Sequence, residues 1–137
     1  MKKITLILTL IFSVNLFSQE ITQEKIEGKW KVLKIVKAPE SPHFMPLLEG
    51  FKEATFLFNK DGNFKIETKK ESPLFSMITK ETNQSKWILG KPNQIKIGSE
   101  SDKFTIMWIE VKETKEEIFF DLGEEAQLPL ILKVKKE

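Results

Sequence analysis

The chain contains no cysteine, no tyrosine and no arginine; its 22 basic residues are all lysine, and it has a single histidine. Without cysteine there are no disulfides, no thiolate nucleophile and no thiolate metal site. Without arginine there is no planar fork for bidentate recognition of a phosphate or carboxylate. Without tyrosine there is no phenolic acid. One histidine, His43, excludes a multi-histidine metal centre, so no metal and no cofactor is expected. What the chain does have is 11 Phe and three Trp among 137 residues, with 40% apolar residues overall. That composition suits one packed domain, and the large rings supply much buried area per position.

The first residues read as a targeting segment. Lys2 and Lys3 precede a mostly apolar run, Ile4 to Phe17, closed by Ser18, Gln19 and Glu20. A basic start, a core of about 14 residues and a small polar exit make a signal peptide over residues 1–18. Cleavage is expected after Ser18, with a cut after Gln19 as the alternative. The run is shorter than the roughly 20 residues that span a bilayer, so no stable membrane segment is expected after processing. The expected location is periplasmic or secreted. Loss of Lys2 and Lys3 balances the remaining lysines against the 20 acids. A neutral chain lacks the net basic face that nucleic-acid binding requires.

Residues 19–137 read as a single all-β domain. Lys29 to Lys37 is the first strand. Trp30 and Val32 share a face, but Leu33 and Ile35 fall on the other, which predicts a bulge near Val32–Leu33 or a strand buried on both faces at its end. Pro39, Pro42 and Pro46 then mark a loop or a short helix closing one end. Ala54, Phe56 and Phe58 alternate up to the turn Asp61–Gly62, and Phe64, Ile66 and Thr68 alternate after it, the pattern of a half-buried hairpin. Pro73 to Thr79 is ambiguous between strand and helical turn. Further strands are expected at Gln84–Leu89, around Ile95 and Ile97, at Phe104–Ile109, at Glu116–Leu122 and at Leu128–Lys135. In the last, Leu128, Leu130, Leu132 and Val134 line one face, and Pro129 marks its start or an exposed edge. Eight or nine short strands without long helices predict an antiparallel up-and-down barrel, with a β-sandwich as the alternative.

The segment Ile26–Val32 carries Gly28-x-Trp30 at the entry to the first strand. It resembles the opening signature of the lipocalins and the shorter lipocalin-like proteins of bacteria. Gly62-Asn63-Phe64, Trp87 and Trp108 extend that resemblance weakly along the chain. It implies that Gly28 admits the chain tightly into a barrel and that Trp30 packs across a closed bottom. It also implies a late basic residue stacked on that tryptophan; with no arginine present, Lys133 is the candidate.

Phe56, Phe58, Phe64, Ile66, Phe104, Ile106, Trp108, Phe120 and Leu130 form the expected inward set. All but Leu130 are the candidate ligand-binding residues, and all are equally readable as plain core. Phe44, Met45 and Leu48 form a candidate lid. Three functions remain open. The first is an exported lipocalin-like protein that binds a small apolar or amphipathic molecule. The second is a filled barrel that meets an envelope protein partner, suggested by Phe44–Leu48 and Ile118–Phe120. The third is a carboxylate-dependent hydrolase. No nucleophile, base and orienter fall together, so no catalytic residue is assigned and a non-enzyme is the expectation. Glu113, Glu116 and Glu117 sit among lysines, and Glu124 and Glu125 read as a second turn. Asp61-Gly62-Asn63 lacks the spaced oxygens of a calcium loop and reads as a hairpin turn.

Overall fold

A computed structural model of the chain describes residues 21–123 and 129–137. The segment read as a signal peptide, together with Glu124, Glu125 and Leu128, lies outside the described residues. One short helix, α1 (Gln23–Ile26), precedes the first strand, β1 (Gly28–Lys37). A 3₁₀ turn at Pro42–Phe44 leads into α2 (Met45–Lys52), followed by β2 (Ala54–Phe58) and β3 (Phe64–Thr68). Helix α3 (Pro73–Thr82) separates these from β4 (Lys86–Leu89), β5 (Gln94–Gly98), β6 (Met107–Glu113), β7 (Ile118–Asp121) and β8 (Ile131–Lys136).

The eight strands form one antiparallel sheet in the order β3-β2-β1-β8-β7-β6-β5-β4. First and last strands are therefore neighbours, and the sheet curls into a nearly closed barrel rather than splitting into a sandwich. The remaining seam lies between β3 and β4. An antiparallel bridge, Asn63 to Lys86, closes it at one point. There the Phe64 N–H donates to the Ser85 carbonyl at 3.0 Å, and the Trp87 N–H donates to the Gly62 carbonyl at 2.9 Å. Traced strand by strand from Phe64↔Phe58 to Lys86↔Gly98 and back through this bridge, the register slips by about twelve residues. Such a stagger tilts the strands steeply and widens the barrel for a given strand number.

Beyond the bridge, α3 covers the seam. Asn83, which ends the helix, acts as a substitute strand residue. Its Oδ1 accepts from the Ile66 N–H at 2.8 Å, and its Nδ2 donates to the Ile66 carbonyl at 3.3 Å. The exposed edge of β3 is thus satisfied by a side chain, which removes a site for unwanted strand pairing. Helix α3 begins at Ser72, whose hydroxyl accepts from the Phe75 N–H, with Pro73 at the first helical position. This resolves the ambiguity at Pro73–Thr79 as helix.

The predicted bulge is present. The β1–β8 register shifts between Val32 and Lys34, and again between Ile35 and Lys37. The extra residues, Leu33 and Val36, turn outward and are exposed. The hairpin β2–β3 keeps the expected parity, with Phe56, Phe58, Phe64 and Ile66 all buried. Leu130, Leu132 and Val134 are buried as expected, although β8 proper starts after Leu130.

The parity expected for β6 is reversed. Ile109 and Val111 are the buried pair, while Phe104, Ile106 and Trp108 are not part of the buried core. The cause is the β5–β6 connection. Lys103 and Phe104 hold left-handed φ values of 60° and 55°, so Phe104 belongs to a turn and the strand begins only at Met107. Non-glycine residues seldom take this conformation, and nothing in their identity announces it. Asp102 organises the turn: its carboxylate accepts from the Ser99 N–H and hydroxyl. The Ser99 N–H, ahead of the Thr105 and Phe104 backbone groups, holds that carboxyl below its ordinary pKa of 3.8.

Candidate functional site

The barrel has two unlike ends. At one, the hairpin turns β2–β3, β4–β5 and β6–β7 meet α1. At the other lie the longer connections that carry α2, α3 and residues 99–106, together with Leu122 and Leu130.

The turn end and the centre are filled with rings. Trp30 is 1% exposed, and its ring centroid lies 5.4 Å from that of Phe120. Phe56 meets Phe120 at 5.5 Å and Phe64 at 6.2 Å; Phe58 meets Phe64 at 5.1 Å and Trp87 at 5.4 Å. Tilted and edge-to-face contacts of this kind add to the gain from burial alone. Both buried indoles find a partner: Trp30 Nε1 donates to the Ile26 carbonyl at 2.8 Å and Trp87 Nε1 to the Asn59 carbonyl at 2.9 Å.

Gly28 has φ +126°, and a Cβ there would meet Lys136 Cε at 3.0 Å. Glycine is required by the backbone conformation, whereas the lysine end could shift to admit a Cβ. The lysine over Trp30 is Lys136, with Nζ 5.9 Å from the ring centroid, rather than Lys133. The register explains the correction. Lys136 is the direct cross-strand partner of Trp30, whereas Lys133 points to the outer face and pairs with Glu117 at 3.3 Å. Lys136 also donates to the Lys25 carbonyl at 2.9 Å, tying the last strand to α1.

The opposite end holds a cavity of about 500 Å³. This lies within the range of 300–1,000 Å³ usual for small-molecule sites. Leu47 and Phe51 of α2 form its floor. Met77, Ile78, Glu81 and Thr82 of α3 make one wall, and Thr105 to Trp108, Leu122 and Leu130 make the others. Phe51 joins the two regions, because its ring also packs on Phe56 at 6.3 Å and on Phe75 at 5.0 Å. Helices α2 and α3 touch at Gly50, where a Cβ would strike the Phe75 ring. The Thr68 hydroxyl donates to the Gly50 carbonyl at 2.6 Å and anchors α2 to β3.

The expected site residues divide between these regions. Phe56, Phe58, Phe64, Ile66 and Phe120 pack in the filled core and do not line the cavity. Ile106 and Trp108 line it from the rim, and Phe104 stays half-buried in the turn below them. The Trp108 Nε1–H donates to the Phe104 carbonyl at 2.6 Å, and Lys96 Nζ lies 5.0 Å from its ring centroid. In the lid segment, Leu48 is buried, Phe44 is half-buried and Met45 is exposed. The cavity is lined instead by Leu47 and Phe51 on the same helix.

The α3 contribution was missed by sequence reasoning. Its signal was available in the Ser72–Pro73 start followed by Leu74, Phe75, Ile78 and Thr82 at helical spacing. Of the acids considered for hydrolysis, Glu113 pairs with Lys25 and Glu117 with Lys133, and neither lines the cavity. His43 is exposed beside Phe44. Asp61 accepts from the backbone and side-chain nitrogens of Asn63, so its carboxylate serves the hairpin turn. Among the described residues no group of three or more His, Cys, Asp or Glu is placed to hold a metal ion. No described helix is long and apolar enough to cross a membrane.

The structure defines a nearly closed, eight-stranded antiparallel barrel of calycin-like fold with inserted helices, apolar-lined at one mouth. Compared with known proteins, the chain matches no family model, no curated protein and no solved structure.

Proposed function

We propose that this chain is an exported, lipocalin-like binding protein that carries a small apolar or amphipathic molecule in the mouth cavity. The observation that carries the reading is the contrast between a filled core and an apolar cavity beside it. A domain of this size has enough Phe and Trp to fill its barrel, and it does so at one end only. At the other, Leu47, Phe51, Ile78, Met107 and Leu130 face space. Met77 suits a mouth that adapts to its ligand: it is unbranched, 66% exposed and able to change rotamer at little cost. The leader-like residues 1–18 support export, and the absence of cysteine means that the fold asks nothing of the redox compartment.

Binding rather than catalysis is favoured by the lining. Among the described lining residues Glu81 is the one carboxylate, whereas paired acid–base hydrolysis uses two. Native mass spectrometry of protein isolated from its producing cells tests the proposal. The expected result is a reproducible added mass, released on denaturation as one lipophilic compound. A bare chain that also fails to take up added decan-1-ol would overturn it. A co-purifying chain of protein size would instead favour the filled-barrel, partner-binding reading.

A further inference from the structure

The cavity's polar groups define the head group it accepts. Among the described residues twelve line it, and the only ionisable one of these is Glu81. No lysine reaches the lining, in a chain whose 22 basic residues are all lysine. The two hydroxyls are already committed. Thr82 Oγ1 donates to the Ile78 carbonyl at 3.0 Å, and Thr105 Oγ1 donates to the Asp102 carbonyl at 2.6 Å. Glu81 itself takes part in none of the ion pairs formed among the described residues. It stands on α3 one turn past Met77 and beside Ile78, at the edge of the apolar wall.

From this arrangement we propose that the ligand is an amphiphile with a cationic head, an alkyl or aryl amine, and that Glu81 pairs with its ammonium group. The proposal rests on the carrier reading above and sharpens it. A fatty-acid carboxylate would enter an apolar pocket with no lysine among its described lining residues and a like charge at the rim. An ammonium group places its tail on Leu47, Phe51 and Ile78 and its charge on Glu81. Because Glu81 is solvent-exposed, the ion pair is worth little in absolute terms. It acts with opposite sign on an anion, however, so the selectivity between the two charges is larger than the affinity gained by either.

Three probes of equal chain length separate the possibilities: decan-1-ol, decylammonium and decanoate, titrated by calorimetry and by Trp108 fluorescence at low ionic strength. Decylammonium is expected to bind about tenfold tighter than decanoate, with decan-1-ol between them. The ratio should shrink as salt is added. Glu81→Gln should bring the two charged probes to within about twofold of each other. Glu81→Lys should reverse their order, and circular dichroism of both variants checks that they fold. Binding of decan-1-ol with decanoate equal to or tighter than decylammonium would overturn this inference and leave the carrier reading standing. Failure of all three probes to bind would overturn both.

Discussion

The two ends of this barrel are built from the same kinds of residue and behave differently. At the turn end, Phe58 packs on Phe64 and Trp87, Trp30 packs on Phe120, and each ring finds a ring. At the mouth, helices α2 and α3 arrive from outside the sheet. They seat two rings, Phe51 and Phe75, and stop short of filling the space above. Apolar composition alone therefore does not decide whether a barrel is solid or hollow. Strand stagger sets the width, and the inserted helices set how much of that width is occupied.

Substitutions at the two ends should separate stability from binding. The largest effect is expected for Phe56→Ala, which removes a fully buried ring from contact with four others. It should cost about 3–5 kcal/mol in denaturant unfolding. If it costs less than 1 kcal/mol, the turn end is not the packed region described. Asn83→Ala comes next. It strips both hydrogen bonds from Ile66 at the seam and should cost about 1–3 kcal/mol, with faster amide exchange in β3. Gly50→Ala forces α2 and α3 apart against Phe75 and should cost about 1–3 kcal/mol by overpacking. Unlike Asn83→Ala, it should also alter decan-1-ol affinity, because both helices line the mouth. Met77→Ala should leave stability within about 0.5 kcal/mol while weakening decan-1-ol binding about threefold.

The smallest effect is a pH dependence of the rim. The Asp102 carboxyl is held below its ordinary value in the folded chain, chiefly by the Ser99 N–H. A depressed folded pKa means that its contribution is present above the unfolded value and is lost as pH falls through the folded one. Trp108 fluorescence should thus change at acid pH below about 3.8 while global unfolding has not begun. Asp102→Ala should show the altered signal already at neutral pH.

Much of the filled end was legible in the sequence. The period-two alternation at 54–58 and 64–68, the Asp61–Gly62 turn and the parity switch at Leu33 are local signals, and local geometry fixes what they mean. Gly28-x-Trp30 located the barrel entry, because its positive φ favours glycine. The mouth was less legible. Phe104, Ile106 and Trp108 alternate as a strand should, yet a left-handed turn at Lys103–Phe104 shifts the start of β6 and reverses its inward face. Leu74 to Ile78 is too short an apolar run for periodicity to tell helix from strand, and the Ser72–Pro73 cap decides it. Lys136 continues the inward alternation of Leu132 and Val134 and Lys133 does not, so parity separates the two, and the register of β8 on β1 sets Lys136 opposite Trp30.

The most direct measurement is a methyl NMR titration with decan-1-ol, using Met77, Ile78, Ile106 and Met107 as reporters for the mouth. Ile26, Ile66 and Val134 report on the filled end. Chemical-shift changes confined to the mouth set, saturating with one ligand per chain, are the predicted result. Changes spread equally over both sets, or none in the mouth set at saturating decan-1-ol, would contradict a barrel that is solid at one end and hollow at the other.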